Sequence, residues 1–197
     1  MTDEEIKITA YHELGHAITG FVLPHTDPVH KISIVARGMA LGVTWFLPER
    51  DRLLVSKEKF EDELVSLMGG RAAEELMFGE NAVTTGASND MEKATKIARG
   101  MVTKYGMSIL GPITFGEHHG NPFLGKDLMH EKTYSEDTAK MIDAEVSKAL
   151  QKALKSATHI LTRYRKLLVK IGDDLIQKET ITRDEFEAYF KKFEPQG

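Results

Sequence analysis

The spacing of apolar residues predicts a chain that is mainly helical. Near the N-terminus, apolar residues recur at three- and four-residue intervals from Ile6 to Phe21, which gives one buried stripe on a helix. Thr2 and Glu5 have the spacing of a capping box. Pro24 cannot continue a helix, so we expect this first helix to end just before it.

Two short segments alternate between apolar and polar residues, and each predicts a strand. They cover residues 31–35 and 41–47, and residues 37–40 separate them. Because two strands are rarely stable alone, we expect this small hairpin to lie against the first helix.

Two further helices follow. Ser56 is the expected cap of a long helix that ends at Gly79 and contains the pair Gly69-Gly70. A glycine inside a helix costs about 1 kcal/mol relative to alanine, and close approach of another helix would explain the pair. Ser88 or Asn89 is expected to cap the third helix.

Glycine and proline divide the chain into parts. Residues 1–106 form the first predicted subdomain, residues 107–134 form a Gly/Pro-rich connection, and residues 135–197 form a C-terminal helical subdomain. Thr182 and Glu185 make a second capping box in the last part. We expect the three parts to form one domain together.

Composition excludes several classes of protein. The 197 residues carry a net charge of −4 with both signs interspersed, so we expect no nucleic-acid partner. There is no cysteine, so a metal ion must be held by His, Asp or Glu. No apolar run is long enough to span a membrane, and the acidic N-terminus is not typical of a signal peptide.

The first helix contains the pattern H-E-x-x-H at residues 12–16. On a helix, His12 and His16 lie one turn apart on the same face and can grip one metal ion. Glu13 lies about 100° round the helix from His12, within reach of a water on that metal. This arrangement is typical of a zinc peptidase, in which Glu13 is the general base. The alternative is a pair of ordinary core histidines.

A catalytic zinc normally has three protein ligands, so a third must lie elsewhere. The longer pattern H-E-x-x-H-x-x-G-x-x-H fails, because Thr19 and Val22 stand in place of its last glycine and histidine. His25 and His30 are near in sequence but lie beyond the first helix.

Carboxylates on a neighbouring helix are better candidates for the third ligand. They are Glu74, Glu75, Asp90 and Glu92. Glu74 follows a run of small residues, and Asp90 lies in the first turn of a helix, where the helix dipole alone would favour it. These arguments favour Glu74 or Asp90 without separating them. Weaker candidates are the histidines of the connection, which are more often simply exposed: His118, His119 and His130.

Several motifs in order resemble the peptidase domain of FtsH, the membrane-anchored AAA zinc protease. The motifs are His12–Ala17, Leu23–Pro24 with Asp27–Lys31, Ala40–Thr44, Gly69–Glu75, Thr84–Asp90, Phe123–Asp127 and Ser135–Asp137. The resemblance covers nearly the whole chain and weakens towards the C-terminus. Leu14 departs from it, since the family usually has alanine there.

The resemblance implies a role for each site residue. Asp90 would be the third zinc ligand beside His12 and His16, with one zinc per chain. Glu74 would hydrogen-bond a ligand histidine, as carboxylates around zinc commonly do. Substrate would add as a strand beside the short sheet. The strand edge would consist of Gly42, Val43, Thr44 and Trp45.

The resemblance also implies a biological setting. Family members are mainly helical in this domain, assemble as homohexamers, and degrade unfolded or misassembled membrane and cytosolic proteins. ATP would bind an ATPase module that this chain does not include. Membrane contact would come only through N-terminal segments that are also missing. We therefore expect a soluble piece of a longer protein of the bacterial inner membrane, with this domain in the cytoplasm.

We interpret the chain as a zinc endopeptidase domain. The main alternative is a catalytically silent, helical assembly module whose zinc is structural. Structural zinc usually has four protein ligands, so His25 or His30 would then complete the set. A stand-alone peptidase that acts on short peptides is a second alternative.

Overall fold

The computed structural model describes residues 1–36, 41–48, 53–116 and 134–193. Its helices are α1 Asp3–Val22, α2 Lys57–Phe78, α3 Ser88–Thr103, α4 Glu136–Arg163, α5 Arg165–Lys178 and α6 Arg183–Lys191. Its strands are β1 Val29–Ser33, β2 Val43–Phe46 and β3 Thr180–Thr182. The prediction of a mainly helical fold with a small sheet is confirmed.

The helix ends follow from the sequence at α1 and α2. The Thr2 side chain accepts a hydrogen bond from the Glu5 backbone N–H, and the Glu5 carboxylate accepts one from the Thr2 N–H. The Ser56 hydroxyl likewise accepts from the N–H of Lys59 at the start of α2. These caps satisfy backbone donors that a helix start leaves without a partner.

The start of α3 differs from the expected one. A 3₁₀ turn at Thr85–Ala87 runs directly into the helix, so Ser88 is already helical with φ −59° and ψ −43°. The N-cap residue is therefore Ala87, which offers no side-chain oxygen. The prediction that Ser88 or Asn89 caps this helix is wrong. Asp90 still lies in the first turn of α3.

The sheet is antiparallel, with the strand order β2-β1-β3. Ile32 in the middle strand lies opposite Thr44 of β2 on one side and Ile181 of β3 on the other. The two predicted strands therefore pair: β1 has the expected length but begins two residues earlier, and β2 is shorter than expected. Strand β3 is a third strand that the pattern did not indicate. The turn at residues 37–40 lies outside the described residues. Among the described strands, β2 lies at an edge.

Helices α1 and α2 cross at two glycines. A Cβ atom on Gly15 would lie 2.1 Å from the carbonyl oxygen of Gly69, and one on Gly69 would lie 2.4 Å from the carbonyl oxygen of Gly15. Real Cβ atoms do not approach so closely, so each position requires glycine. The prediction that the Gly69-Gly70 pair permits close helix packing is confirmed.

One apolar core joins the elements. It includes buried residues from all six helices and from β1 and β3, and Leu14 is fully buried in it. The subdomain limits at residues 106 and 134 stay a prediction. Among the described residues, no helix combines the length and the apolar character that a membrane crossing needs.

Candidate metal centre

Three nitrogen and oxygen atoms converge between α1 and α3. Nε2 of His12 and Nε2 of His16 lie 3.1 Å apart, and each lies 3.3 Å from Oδ2 of Asp90. Both histidines are only 8% exposed. The structure therefore brings His12, His16 and Asp90 together.

Hydrogen bonds to the other ring nitrogens fix how the histidines are oriented. Nδ1 of His16 lies 2.8 Å from the backbone carbonyl of Ser66, and Nδ1 of His12 lies 2.7 Å from Oε1 of Glu74. A carbonyl or a carboxylate accepts hydrogen bonds, so both Nδ1 atoms donate. In the neutral rings, both Nε2 lone pairs then face each other and the Asp90 carboxylate.

Such a set of converging acceptors fits a cation. Zinc bound at about 2.0–2.1 Å in a tetrahedral arrangement separates its ligand atoms by about 3.3 Å. The observed separations of 3.1 and 3.3 Å are close to that value. The residues present therefore fit a zinc ion with three protein ligands.

The local electrostatics favour positive charge at the same point. Burial lowers the pKa of His12, but hydrogen bonds to Asp90 and Glu74 outweigh it and raise the pKa to about 9. Burial raises the pKa of Asp90, yet its hydrogen bonds with His12 and His16 hold that pKa well below its usual range. Without a metal, the cluster therefore retains a proton at neutral pH.

Glu74 connects three parts of the site. It is 1% exposed and lies on α2, and its Oε2 accepts the backbone N–H of Thr84 at 2.8 Å. Its other oxygen accepts from His12 of α1. Burial raises the pKa of Glu74, but the bonds from His12 and Thr84 lower it overall, so the carboxylate is charged. Glu74 thus connects His12 to the loop that precedes Asp90.

Gly70 provides the space for the imidazoles. A Cβ atom there would lie 2.4 Å from Cε1 of His12 and 2.6 Å from Nε2 of His16. The second glycine of the pair therefore lies against the proposed ligands, while the first allows the helix crossing.

Glu13 follows His12 on α1, and its carboxylate does not belong to the group of three converging atoms. It is 8% exposed, and its Oε2 accepts a hydrogen bond from the Thr44 hydroxyl at 2.8 Å. Its charge contributes to the raised pKa of His12, so the carboxylate lies within electrostatic reach of that ring. This is the placement that the H-E-x-x-H pattern predicts for a base.

The expected substrate edge is the strand β2 with the residue before it. Val43 and Thr44 are partly exposed, as is Gly42, and Trp45 is exposed at 45%. The Thr44 side chain is directed at Glu13 of α1, which places this strand next to the proposed base.

The remaining carboxylate candidates lie apart from the cluster. Glu75 forms an ion pair with Arg71 at 2.8 Å, and Glu92 is exposed. Within the described part of the chain, the group of side chains that could hold a metal consists of His12, His16 and Asp90.

The remaining histidine candidates also lie elsewhere or are outside the described residues. His25 lies 3.0 Å from Asp62, and His30 is exposed on β1. Neither supplies the fourth ligand that a structural zinc would need. The histidines outside the described residues are His118, His119 and His130.

Two contacts of the site were not found from the sequence. The Ser66 carbonyl that orients His16 leaves no signal, because any residue supplies a backbone acceptor. Thr44 was identified as part of a strand edge, but its hydrogen bond to Glu13 depends on how that strand lies against α1.

Comparison with known proteins agrees with this geometry. Residues 1–189 match the model of peptidase family M41. The chain is 49% identical over 189 residues to the ATP-dependent zinc metalloprotease FtsH 1 of Conexibacter woesei, covering 95% of this chain and 29% of that protein. It is 50% identical over 187 residues to the ATP-dependent zinc metalloprotease FtsH of Kosmotoga olearia, covering 94% and 29%.

A third relative is covered to a similar extent. The ATP-dependent zinc metalloprotease FtsH of Rubrobacter xylanophilus is 47% identical over 194 residues, covering 98% of this chain and 30% of that protein. The chain thus spans less than a third of the length of these curated relatives. The sequence-based identification of an FtsH-type peptidase domain is confirmed, and the chain belongs to peptidase family M41.

Proposed function

We propose that this chain is the catalytic domain of an ATP-dependent zinc endopeptidase of the FtsH type. The observation that carries the proposal is the convergence of the two Nε2 atoms and Asp90 Oδ2 with Glu13 beside them. Among the described residues this set has three members, and three protein ligands are typical of a catalytic and not of a structural zinc.

Each residue of the site has a separate chemical role. His12, His16 and Asp90 would hold zinc, which when bound supplies Lewis acidity that lowers the pKa of water and polarises a carbonyl. Glu13 takes a proton from the attacking water and passes it to the leaving amine nitrogen. Glu74 and the Ser66 carbonyl keep both imidazoles turned with Nε2 towards the cation.

The edge position of β2 suits an extended substrate. A peptide that pairs with the edge around Gly42, Val43, Thr44 and Trp45 would gain main-chain hydrogen bonds, which depend little on sequence. Unfolded or misassembled proteins offer such extended segments. We propose that unfolded or misassembled proteins of the membrane and the cytosol are the substrates.

The relatives' printed names include ATP dependence, and this chain spans less than a third of each relative. Both facts support a separate ATP-binding module in the full-length protein. We propose that the full-length protein is a homohexamer and that it binds ATP in a separate module. We also propose that it carries membrane segments outside this chain. It would act at the bacterial inner membrane, with this domain in the cytoplasm.

The catalytic role is tested by casein cleavage with the native chain and Glu13→Gln, each assayed for zinc by elemental analysis. We expect about one zinc per chain in both and a loss of at least about 100-fold in rate for Glu13→Gln, because the base is removed. Glu4→Gln, an exposed position on the same helix, is the control. Cleavage by Glu13→Gln at the native rate would refute the role of Glu13.

Substrate class is tested by comparing unfolded casein with dipeptides. We expect cleavage of casein and little cleavage of dipeptides, because a dipeptide is too short to pair along β2. Efficient dipeptide cleavage would instead support the stand-alone peptidase.

Strand addition is tested by binding with Glu13→Gln, so that substrate is not consumed. Trp45 is the single tryptophan and lies on the expected edge, so its fluorescence reports binding there. Two peptides of one sequence are compared, one N-methylated at its odd-numbered amides and the other at its even-numbered amides. One of them should lose affinity and the other should keep it, because a strand pairs through every second residue. Equal affinity in both registers would contradict strand addition.

A further inference from the structure

Thr44 contacts the proposed base at two points. Its hydroxyl lies 2.8 Å from the side-chain Oε2 of Glu13 and 2.8 Å from the backbone carbonyl oxygen of Glu13. Both of these oxygens are acceptors when the carboxylate is charged, so the Thr44 hydroxyl is the donor, and its single hydrogen is shared between them. One side chain of β2 therefore holds both the backbone and the carboxylate of Glu13.

Gly42 confines the same carboxylate from another direction. A Cβ atom on Gly42 would lie 2.9 Å from Oε1 and 2.9 Å from Cγ of Glu13, and 2.7 Å from Cγ2 of Thr9. The Gly42 backbone thus lies directly against the Glu13 side chain. The two carboxylate oxygens are placed separately, Oε2 by the hydroxyl of Thr44 and Oε1 beside Gly42.

Successive side chains of β2 point to opposite faces of the sheet, so Thr44 contacts Glu13 from one face only. Thr44 and Phe46 face α1, where the Phe46 ring would lie 2.5 Å from a Cβ atom on Gly20. Trp45 lies between them and is directed to the other face, where it is 45% exposed. The Thr44 side chain therefore meets Glu13 while the backbone of the strand remains at the sheet edge.

We propose that Thr44 is a positioning residue for the general base, acting through its hydroxyl on Oε2 of Glu13. This inference rests on the proposed function of Glu13. Without the hydroxyl, the carboxylate can rotate about its side-chain bonds, and a displacement of about 1 Å from the reacting atoms costs on the order of 100-fold in rate. The strand proposed to receive substrate would also hold the base that acts on it.

The test compares Thr44→Val with Thr44→Ser on the zinc-loaded chain. Valine has the shape of threonine without the hydroxyl, so we expect kcat for casein to fall roughly 10- to 100-fold with KM changed less than about twofold. Serine restores the hydroxyl and should recover most of kcat. Thr158→Val, which removes a hydroxyl bonded to the Leu154 carbonyl on α4, is the matched control and should cleave normally.

Two measurements exclude a merely structural role. Zinc content and the Trp45 emission spectrum of Thr44→Val should match the native chain, because the ligands and the strand are intact. If KM rises and the spectrum shifts while kcat is kept, Thr44 supports the strand and not the base, and the proposal is overturned. Native kcat in Thr44→Val with no other change overturns it too.

A cycle of unfolding midpoints tests the contact independently of activity. Thr44→Val, Glu13→Ala and the double variant are unfolded in the presence of a chelator. We expect the double variant to shift less than the sum of the single shifts, because each single change already breaks the same bond. Additive shifts would overturn the contact. A native chain that does not cleave casein would instead refute the proposed function while leaving this cycle informative.

Discussion

Nδ1 of His12 lies 2.7 Å from Oε1 of Glu74, and the second oxygen of that carboxylate accepts the N–H of Thr84 at 2.8 Å. Two donors, the His12 ring N–H and the Thr84 backbone N–H, thus require two acceptor oxygens on one side chain. Glutamine offers one acceptor oxygen and an NH₂ group, so Glu74→Gln leaves one donor facing another. We expect zinc affinity to fall 10- to 100-fold, measured by competition with a chromophoric chelator.

The control for this change is Glu75→Gln, the adjacent residue on α2. Glu75 pairs with Arg71, so its neutralisation should leave the zinc affinity unchanged. Equal zinc affinity in Glu74→Gln and Glu75→Gln would contradict the role of Glu74.

Asp90 is expected to supply the one charged ligand. Asp90→Asn keeps the shape of the side chain and removes its charge, so we expect bound zinc to fall by about 10-fold or more at limiting metal. Elemental analysis after dialysis measures this, with the exposed Asp143→Asn on α4 as control. An unchanged zinc content in Asp90→Asn would indicate that the third ligand is Glu74 or a histidine.

Local signals predicted much of this fold and site. These signals are the capping residues Thr2 and Ser56, the helical stripe of α1 and the H-E-x-x-H spacing. Each signal involves residues that are only a few positions apart in sequence. Their physical effects act over the same short range, so the pattern alone identifies them. The closeness of His12 and His16 follows directly, because four residues on a helix make about one turn.

Non-local contacts were not available from the pattern. Strand β3 has three residues and exists because Thr180–Thr182 pairs with β1, about 150 residues away in sequence. The choice between Glu74 and Asp90 depends on how α2 and α3 pack on α1. Sequence physics left that choice open, and the family resemblance, not the periodicity, assigned Asp90.

The metal-free protein should lose stability as the pH rises above neutrality. Burial lowers the His12 pKa, but Asp90 and Glu74 raise it from 6.5 to about 9, so protonated His12 stabilises the fold fully below pH 6.5. That stability is lost as the pH rises through about 9. We expect the thermal midpoint in chelator to fall across this window.

Two comparisons make the pH prediction specific. His12→Gln has no proton to lose at this position, so its midpoint should fall much less across the window. The lowered pKa values of Asp90 and Glu74 act at the other end, since their contribution is lost as the pH falls below about 4. A metal-free midpoint that is flat or rises between pH 6.5 and 9 would contradict the assignment.

The crossing of α1 and α2 should be intolerant of a single methyl group. Gly69→Ala would place a Cβ atom 2.4 Å from the Gly15 carbonyl oxygen, which is backbone and cannot rotate away. The helices must separate, at a cost of about 1–3 kcal/mol or more. Because Gly70 on the same turn lies against both histidine rings, we expect Gly69→Ala to weaken zinc binding as well.

Gly100→Ala on α3 is the matched control, because it adds the same methyl group to a helix at a position where that group has space. A Cβ atom there would lie 3.5 Å from a ring carbon of Tyr105, which is an ordinary contact. Alanine also favours the helix by roughly 0.5–1 kcal/mol, so this variant should be slightly more stable than the native chain. Urea unfolding should therefore move in opposite directions for the two variants. If both were stabilised, the helix crossing would not depend on Gly69.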